Sequence, residues 1–195
     1  MTRTTTLFLR QFVKSPHTVG AVIPSSPALA RAMLAPIDFA AVRTIVEFGP
    51  GTGALTREIA ARLPPQCRYL GIELNARFIH SLAAAFPRLD FAHGSAADLA
   101  QILAVRGAGP VDAIVSGLPW ATLPISLQDR VFAAMEVALA PGGLFVTFGY
   151  FQSLVLPGAW ALRRRLARSF AAVRRSPVVW GNVPPAFAYI CRRRS

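Results

Sequence analysis

The most informative segment of this chain is Thr44-Ile45-Val46-Glu47-Phe48-Gly49-Pro50-Gly51-Thr52-Gly53-Ala54. A β-branched apolar run stops at an acid, and a glycine-rich turn then opens a helical pattern of Leu55, Ile59 and Leu63. This order predicts a strand, a tight loop and a helix. Glycines in such a loop let the backbone approach a ligand that any Cβ would obstruct.

A second acid supports a ligand site at the end of this strand. The apolar run from Tyr69 to Ile72 ends in Glu73 and Leu74, and Glu73 lies 20 residues past Gly53. A carboxylate at this distance suits the two hydroxyls of a ribose. Loop and acid together predict a cofactor that contains adenosine, bound at the carboxyl edge of a parallel sheet.

The loop chemistry distinguishes between two kinds of adenosine cofactor. The glycine spacing also satisfies the loose dinucleotide fingerprint. However, Glu47 at the strand end would repel a pyrophosphate and would pair with the cationic amino-acid tail of S-adenosylmethionine (SAM). With Pro50 and Gly53, the loop resembles motif I of class I methyltransferases, Glu-x-Gly-x-Gly-x-Gly. We therefore expect SAM as cofactor, S-adenosylhomocysteine as product, and no metal.

Two further strand ends fit the same site. The run from Leu89 to Ala92 leads into His93 and then into residues that contact the adenine in methyltransferases: Gly94, Ser95 and Ala96. The run from Val111 to Val115 leads into a loop that resembles motif IV of amino-methylating enzymes: Ser116, Gly117, Leu118, Pro119 and Trp120. Pro119 fixes its own φ and keeps the preceding residue extended. We assign Ser116 and Gly117 to the cofactor, and Pro119 and Trp120 to the substrate.

The charge of the chain is unevenly distributed. The net charge is +12 over 195 residues, and all nine acids lie between Asp38 and Glu136. The last 59 residues carry nine arginines and no acid. Basic ends of this kind attract an anionic surface, either nucleic acid or lipid headgroups. Two cysteines and three histidines show no disulfide framework and no metal-ligand spacing.

Alternation of strands and helices predicts one α/β domain with a parallel sheet covered on both faces. We expect a Rossmann-like methyltransferase fold of seven strands over residues 36–195, preceded by a separate segment, 1–35. Helices are predicted at 27–34, 54–63, 76–86, 126–139 and 158–168. Two late strands, near 170–179 and 186–192, would form the antiparallel edge. The apolar stretch from Gly142 to Leu162 is interpreted as strand, loop and helix start, because glycines and Pro157 interrupt it.

The beginning of the chain predicts a short basic amphipathic helix. Phe8, Leu9, Phe12 and Val13 share one side, and Arg10, Gln11 and Lys14 share the other. A helix this short is marginal alone in water, so it packs either on its own core or on a membrane. The segment from Trp160 to Phe170, where apolar residues alternate with arginines, is a second candidate. The first residues show no charged region followed by a cleavable apolar core, so we expect no secretory signal.

Two runs resemble bacterial phospholipid N-methyltransferases of the rhizobial type. The first is Phe12-Val13-Lys14-Ser15-Pro16-His17-Thr18-Val19-Gly20-Ala21-Val22-Ile23-Pro24-Ser25-Ser26, and the second is Val179-Trp180-Gly181-Asn182-Val183-Pro184-Pro185-Ala186. Within them we assign Gly20 and Ser26 to the cofactor and Asn182 to the substrate. The resemblance extends, in order, over essentially the whole chain.

This resemblance implies a cytoplasmic enzyme, peripheral on the inner face of the membrane. It would methylate the amine of phosphatidylethanolamine in three steps to give phosphatidylcholine. The chain departs from the family at motif IV and in its short beginning. Ribosomal RNA adenine dimethylases share the cofactor motifs and have Asn-Leu-Pro-Tyr at motif IV, so they are the alternative. A small-molecule amine methyltransferase ranks third, and a non-enzymatic binding module ranks last.

The proposed chemistry needs a neutral amine aligned with the methyl group. Tyr150, just past the fifth strand, is the candidate to hydrogen-bond the amine, although it also fits a core aromatic. Trp120 and Tyr150 would face the growing methylammonium by cation–π contact. A lipid phosphate would be bound by Asn182 together with Arg174 or Arg175.

Overall fold

The computed structural model describes residues 26–195 of the chain. The predicted helix from Phe8 to Lys14, the cofactor residue Gly20 and most of the segment 1–35 lie outside these residues. Those assignments therefore stay predictions.

A mixed sheet of seven strands forms the centre of residues 26–195. Its spatial order is β3-β2-β1-β4-β5-β7-β6. β1 to β5 are parallel, and β7 pairs antiparallel with both β5 and β6. The strands are β1 (Thr44–Phe48), β2 (Arg68–Glu73), β3 (Asp90–His93), β4 (Val111–Ser116), β5 (Leu139–Tyr150), β6 (Ala172–Arg175) and β7 (Ala186–Arg192). This confirms the expected Rossmann-like fold with an antiparallel edge.

Six α-helices accompany these strands in the described part of the chain: α1 (Pro27–Leu34), α2 (Ala54–Ala60), α3 (Ala76–Ala85), α4 (Leu99–Val105), α5 (Ile125–Ala138) and α6 (Pro157–Ser169). Five of them confirm the predicted helices, with ends shifted by up to three residues. The helix α4 was not predicted, although Leu99 and Leu103 have the spacing of a buried helical pair, and both are buried. β5 and α6 also confirm the strand-to-helix interpretation of the stretch from Gly142 to Leu162. No helix within residues 26–195 has the length and apolarity that crossing a bilayer requires.

The sheet is buried on both faces, as its continuous apolar strands require. All five residues of β1 are buried. One face packs under α1 and α2, where Leu29, Met33 and Ile59 are in contact with the sheet cluster. The other face carries an aromatic cluster of Trp120, Phe132, Phe145 and Phe170 with α5 and α6. Cys67 and Cys191 are buried free thiols.

Strand register brings the functional loops to one edge of the sheet. Phe48 pairs with Ile72 of β2 and with Ser116 of β4, and Ser116 pairs with Thr147 of β5. The loops after these strands therefore meet at the carboxyl edge. Because β7 runs in the opposite direction, the loop that precedes it, residues 176–185, reaches the same edge.

Candidate active site

The loop between β1 and α2 has the backbone conformation that its glycines permit. Gly49, Gly51 and Gly53 all have positive φ, at 68°, 55° and 82°. A Cβ at Gly49 would lie 2.9 Å from the Leu118 side chain, and one at Gly53 would lie 2.9 Å from Phe86. Gly53 N–H donates to the Pro50 carbonyl at 2.9 Å, which closes the turn. The positive φ therefore disfavours a side chain at all three positions, and the loop presents its backbone to a ligand.

Glu47 is a buried carboxylate with one unused oxygen. Its Oε2 accepts hydrogen bonds from the Tyr69 hydroxyl at 2.5 Å and from Thr56 Oγ1 at 2.8 Å. Its Oε1 is buried and accepts no hydrogen bond from the described residues. Burial raises the pKa of Glu47 to about 7, although the hydrogen bonds from Tyr69 and Thr56 act in the opposite direction and lower it. A buried acceptor without a donor fits a cationic group, because a cation would satisfy Oε1 and favour the ionised form.

Glu73 connects the end of β2 to the glycine loop. Its Oε2 accepts from Gly51 N–H at 3.0 Å, and its Oε1 accepts from Asn75 N–H at 2.9 Å. Burial raises the pKa of this carboxyl, while the amides of Asn75 and Gly51 lower it. Each oxygen still has one acceptor site free, since a carboxylate accepts about four hydrogen bonds. Glu73 can therefore hold the loop and accept from two ribose hydroxyls at once.

The residues assigned to the adenine lie directly beside Glu73. Gly94 N–H donates to the Glu73 carbonyl at 2.9 Å, and a ring nitrogen of His93 lies 3.0 Å from the Leu74 carbonyl. Ser95 Oγ accepts from Ala97 N–H at 3.2 Å and so begins the short helical turn that contains Ala96. The ends of β2 and β3 are therefore joined into one surface, as their assignment to one ligand requires.

The loop after β4 packs against the glycine loop. Gly117 N–H donates to the Phe48 carbonyl at 2.8 Å, and a Cβ at Gly117 would lie 2.9 Å from the Gly49 carbonyl oxygen. Ser116 is fully buried, and its Oγ accepts from Leu118 N–H at 3.2 Å and from Trp120 Nε1 at 3.0 Å. This hydroxyl therefore holds its own loop together, and the predicted contact of Ser116 with the cofactor stays a prediction.

Trp120 is a core residue, and its assignment to the substrate is wrong. Only 1% of it is exposed. Its ring makes edge contacts with Phe132 and Phe145, with centroids 5.1 and 5.7 Å apart. The turn after Pro119 directs the indole under the sheet, where Ser116 satisfies its N–H. A large apolar ring gains more from this burial than it would from solvent exposure at the edge.

Tyr150 lies where the sequence placed it, at the last residue of β5. It is half-buried, and its ring makes an edge contact with Phe148 at 5.4 Å between centroids. Within residues 26–195 its hydroxyl makes no hydrogen bond, and burial raises its pKa. The side chain thus offers a neutral donor at the carboxyl edge, and its role toward the substrate stays a prediction.

Asn182 has a structural role in place of the predicted contact with substrate. It is 4% exposed, its Oδ1 accepts from Ser26 N–H at 3.0 Å, and its Nδ2 donates to the Pro184 carbonyl at 2.7 Å. Ser26 Oγ in turn caps α1 by accepting from Leu29 N–H at 3.2 Å. Asn182 therefore clamps the start of α1 to the loop before β7, and the assignment of Asn182 to substrate is corrected.

Arg174 and Arg175 lie on the edge strand β6. Arg175 pairs with Tyr189, which pairs with Thr147, the partner of Ser116. β6 lies three strand spacings from β4 in the sheet, so Arg175 is about 14 Å from Ser116 across the strands. The two arginines are exposed and lie at the same edge as the site, beside it rather than in it.

Sequence reasoning missed the partners of Glu47. Tyr69 and Gly71 alternate with Leu70 along β2, and Gly71 is the register partner of Glu47. The small Gly71 leaves room for the Tyr69 hydroxyl, which would lie 2.8 Å from a Cβ at this position. This signal was present in the sequence, but it is readable only once the register between the two strands is known. No cluster of three or more potential metal ligands occurs within residues 26–195.

A glycine cradle, an unsatisfied buried carboxylate and a second acid at the next strand together fit SAM. Residues 46–145 match a family model described as "Methyltransferase domain", which spans about half of the chain. The chain therefore belongs to this family and is a SAM-dependent methyltransferase, as its motifs predicted.

Its relatives are consistent with that class. The chain is 37% identical over 191 residues to the ornithine lipid N-methyltransferase of Singulisphaera acidiphila, covering 95% of this chain and 94% of the relative. Among solved structures, the N-methyltransferase NodS of Bradyrhizobium japonicum WM9, in complex with S-adenosylhomocysteine, matches with a TM-score of 0.68 and 19% identity over 98% of this chain and 99% of that one. The O-methyltransferase TomG of Streptomyces achromogenes, in complex with SAM, matches with a TM-score of 0.69 and 18% identity over 99% and 91%. These two structures show the shared fold.

Proposed function

We propose that this enzyme transfers methyl groups to the amine nitrogen of a membrane-lipid headgroup. The observation that carries the proposal is the relationship to ornithine lipid N-methyltransferase over nearly the full length of both chains. The substrates we propose are ornithine lipid, named by that relative, and phosphatidylethanolamine, implied by the resemblance of the first and last motifs. Both headgroups place a primary amine beside an anionic group, carboxylate in one and phosphate in the other.

The bound cofactor supplies a methyl group on a sulfonium centre at the carboxyl edge. Glu47 would hold the amino group of its methionine part through Oε1, and Glu73 would accept from its ribose hydroxyls. The backbone of Gly49, Gly51 and Gly53 would lie against its tail, and residues 94–96 would contact its adenine. These contacts fix the position of the methyl group, so the enzyme contributes alignment and exclusion of water.

The attacking amine must be neutral when it reaches the methyl group. Among the described strands, β1 and β2 alone bring a carboxylate to the carboxyl edge, and both carboxylates are used by the cofactor in this proposal. The amine would therefore lose its proton to water, and the Tyr150 hydroxyl would orient it. Successive transfers remove N–H donors from the amine, and the ring of Tyr150 would then contact the methylated cation.

The burial of Trp120 supports lipid over RNA as substrate. Enzymes that act on an unpaired base commonly stack it on an accessible aromatic ring. At motif IV the aromatic ring of this chain is packed between Phe132 and Phe145 and is 1% exposed. No other described aromatic follows β4 directly.

The proposal is tested by offering both substrates in parallel. The enzyme and radiolabelled SAM are incubated with vesicles that contain ornithine lipid, with vesicles that contain phosphatidylethanolamine, and with unmodified ribosomal RNA. We expect label in at least one lipid and none in RNA. The Gly51→Val variant, whose branched side chain fills the cofactor loop at a positive φ, should label nothing. Label in RNA without label in lipid would refute the proposal.

A further inference from the structure

A group of exposed apolar side chains borders the active site at the carboxyl edge. We call it the apolar rim, and it consists of Phe151, Val155, Leu156, Trp160, Trp180 and Val183, whose exposures range from 43% to 83%. The rim begins immediately after Tyr150, in the 3₁₀ turn Phe151–Val155, and continues into the first turn of α6. Trp180 and Val183 join it from the loop before β7.

Specific contacts hold these two segments together. Phe151 N–H donates to the Pro185 carbonyl at 2.8 Å, and the rings of Phe151 and Trp180 lie 5.2 Å apart. Trp160 Nε1 donates to the Leu154 carbonyl at 2.8 Å, so its indole is fixed against the turn while 60% of the residue remains exposed. The rim is thus an ordered surface whose large apolar side chains face outward.

Exposed arginines are close in sequence to both segments of the rim. Arg163 and Arg164 follow Trp160 by three and four residues and therefore flank it on α6, and both are exposed. Arg174 and Arg175 precede the other segment of the rim and are exposed as well. No acid follows Glu136 in the sequence. Asp129, the acid that reaches α6, is already paired with Arg165 on the side of the helix that faces α5.

We propose that the apolar rim docks on an anionic lipid bilayer, independently of the segment Phe8–Lys14. Indole rings lie at the headgroup level of bilayers, and arginines beside them are attracted by anionic lipids. Val155, Leu156 and Val183 distinguish this partner from RNA, since aliphatic side chains enter acyl chains but offer a base no stacking face. The inference rests on the proposed function, because docking through the rim would bring Tyr150 to the headgroups.

Two pairs of valines provide a matched test. Val155 and Val183, 83% and 72% exposed, belong to the rim; Val105 and Val137, 79% and 76% exposed, end α4 and α5 at the opposite edge. Replacing either pair with glutamate changes the net charge equally. On vesicles of phosphatidylcholine and phosphatidylglycerol, Val155→Glu/Val183→Glu should weaken full-chain binding roughly thirtyfold, since each charge at the surface changes partitioning about fivefold. Val105→Glu/Val137→Glu should change it less than about threefold. Equal losses in the two pairs would overturn the proposal.

Tryptophan fluorescence identifies the docked surface directly. The chain has three tryptophans, of which Trp120 is buried and Trp160 and Trp180 are in the rim. Brominated lipids in the same vesicles should quench the wild-type emission. Trp160→Phe/Trp180→Phe should still bind vesicles, because it keeps aromatic rings, but should lose the quenching. Vesicle binding without quenching of the wild type would overturn the proposal and assign binding to another surface.

The same experiments separate this inference from the proposed function. Methylation of lipid without quenching would refute the rim as the docking surface and would still support the proposed activity. Quenching without methylation of lipid would support the rim as a docking surface and refute the proposed activity. Two further results would assign the rim to another occupant and overturn the proposal. One is a dimer in sedimentation that Val155→Glu/Val183→Glu abolishes without weakening vesicle binding. The other is RNA binding that this variant abolishes in the same way.

Discussion

Binding of SAM should release a proton from Glu47. In the ligand-free protein burial raises the pKa of Glu47 to about 7, and its Oε1 has no partner among the described residues. The amino group of SAM remains cationic below a pKa of about 8. Bound beside Oε1, it would favour the ionised carboxylate. At about pH 6 the free protein holds about 0.9 proton on Glu47, and nearly all of it leaves on binding.

The same linkage predicts a pH-dependent affinity. At about pH 7 roughly half of Glu47 is ionised, and at about pH 5 only about 1% is. SAM should therefore bind about fiftyfold more weakly at about pH 5 than at neutral pH, a difference of roughly 2 kcal/mol. Calorimetry at about pH 6, in buffers of different ionisation enthalpy, measures the released proton. Glu47→Gln keeps the shape and cannot ionise, so it should release none and bind with a flat pH profile. Equal proton release from the wild type and Glu47→Gln would refute the role of Glu47.

Further variants test the roles that the structure reassigned. Trp120→Phe should lose roughly 2 kcal/mol of stability in denaturant unfolding, with SAM affinity unchanged, because it leaves a cavity and removes the hydrogen bond from the indole N–H to Ser116. Asn182→Ala should cost roughly 2–3 kcal/mol by the same measurement, because Ser26 N–H loses its acceptor. If either variant lost methyl transfer without losing stability, the replaced residue would have a direct role in binding the substrate. Tyr150→Phe should slow the first transfer about tenfold, and later ones less, at unchanged SAM affinity. Equal slowing of all transfers would exclude the hydroxyl role.

Glu47 should also set part of the pH dependence of stability. The pKa of this carboxyl is 4.5 in the unfolded chain and about 7 in the folded one. As pH rises between these values, the unfolded state loses its proton first, so the folded state becomes relatively less stable. The free energy of unfolding of the ligand-free protein should fall by about 3 kcal/mol over this range. Glu47→Gln should lack this fall, and an identical pH profile in the two proteins would contradict the pKa of Glu47.

The fold and the cofactor edge were predictable because local sequence specifies them. Three glycines in one short loop need positive φ, and an acid at the end of the next strand reaches the loop whatever the distant chain does. Gly51 and Glu73 are indeed joined by a hydrogen bond at 3.0 Å. Parallel strands then bring their loops to one edge by topology alone, which is why the loops after the third and fourth strands lie at the predicted edge. Their contacts with the cofactor stay predictions.

The roles of Trp120 and Asn182 were not predictable, because they depend on tertiary packing. After Pro119 the indole can turn toward solvent or under the sheet, and only the aromatic partners on α5 and β5 decide between these directions. Asn182 was assigned from its motif, yet its acceptor is used by Ser26, 156 residues away. The apolar rim was predictable only in part: Trp160 belongs to the second candidate segment, but Leu162, Leu166 and Phe170 of that segment are buried. Trp160 and Trp180 come to share one surface only in the fold.

The most direct test of the account is mass spectrometry of lipid incubated with the enzyme and SAM that carries a deuterated methyl group. Fragmentation of the headgroup locates the label. We expect a deuterated methyl group on the amine nitrogen of ornithine lipid or phosphatidylethanolamine, and none with Gly51→Val. Unlabelled lipid from an enzyme that binds SAM normally, or label on an oxygen, would contradict it.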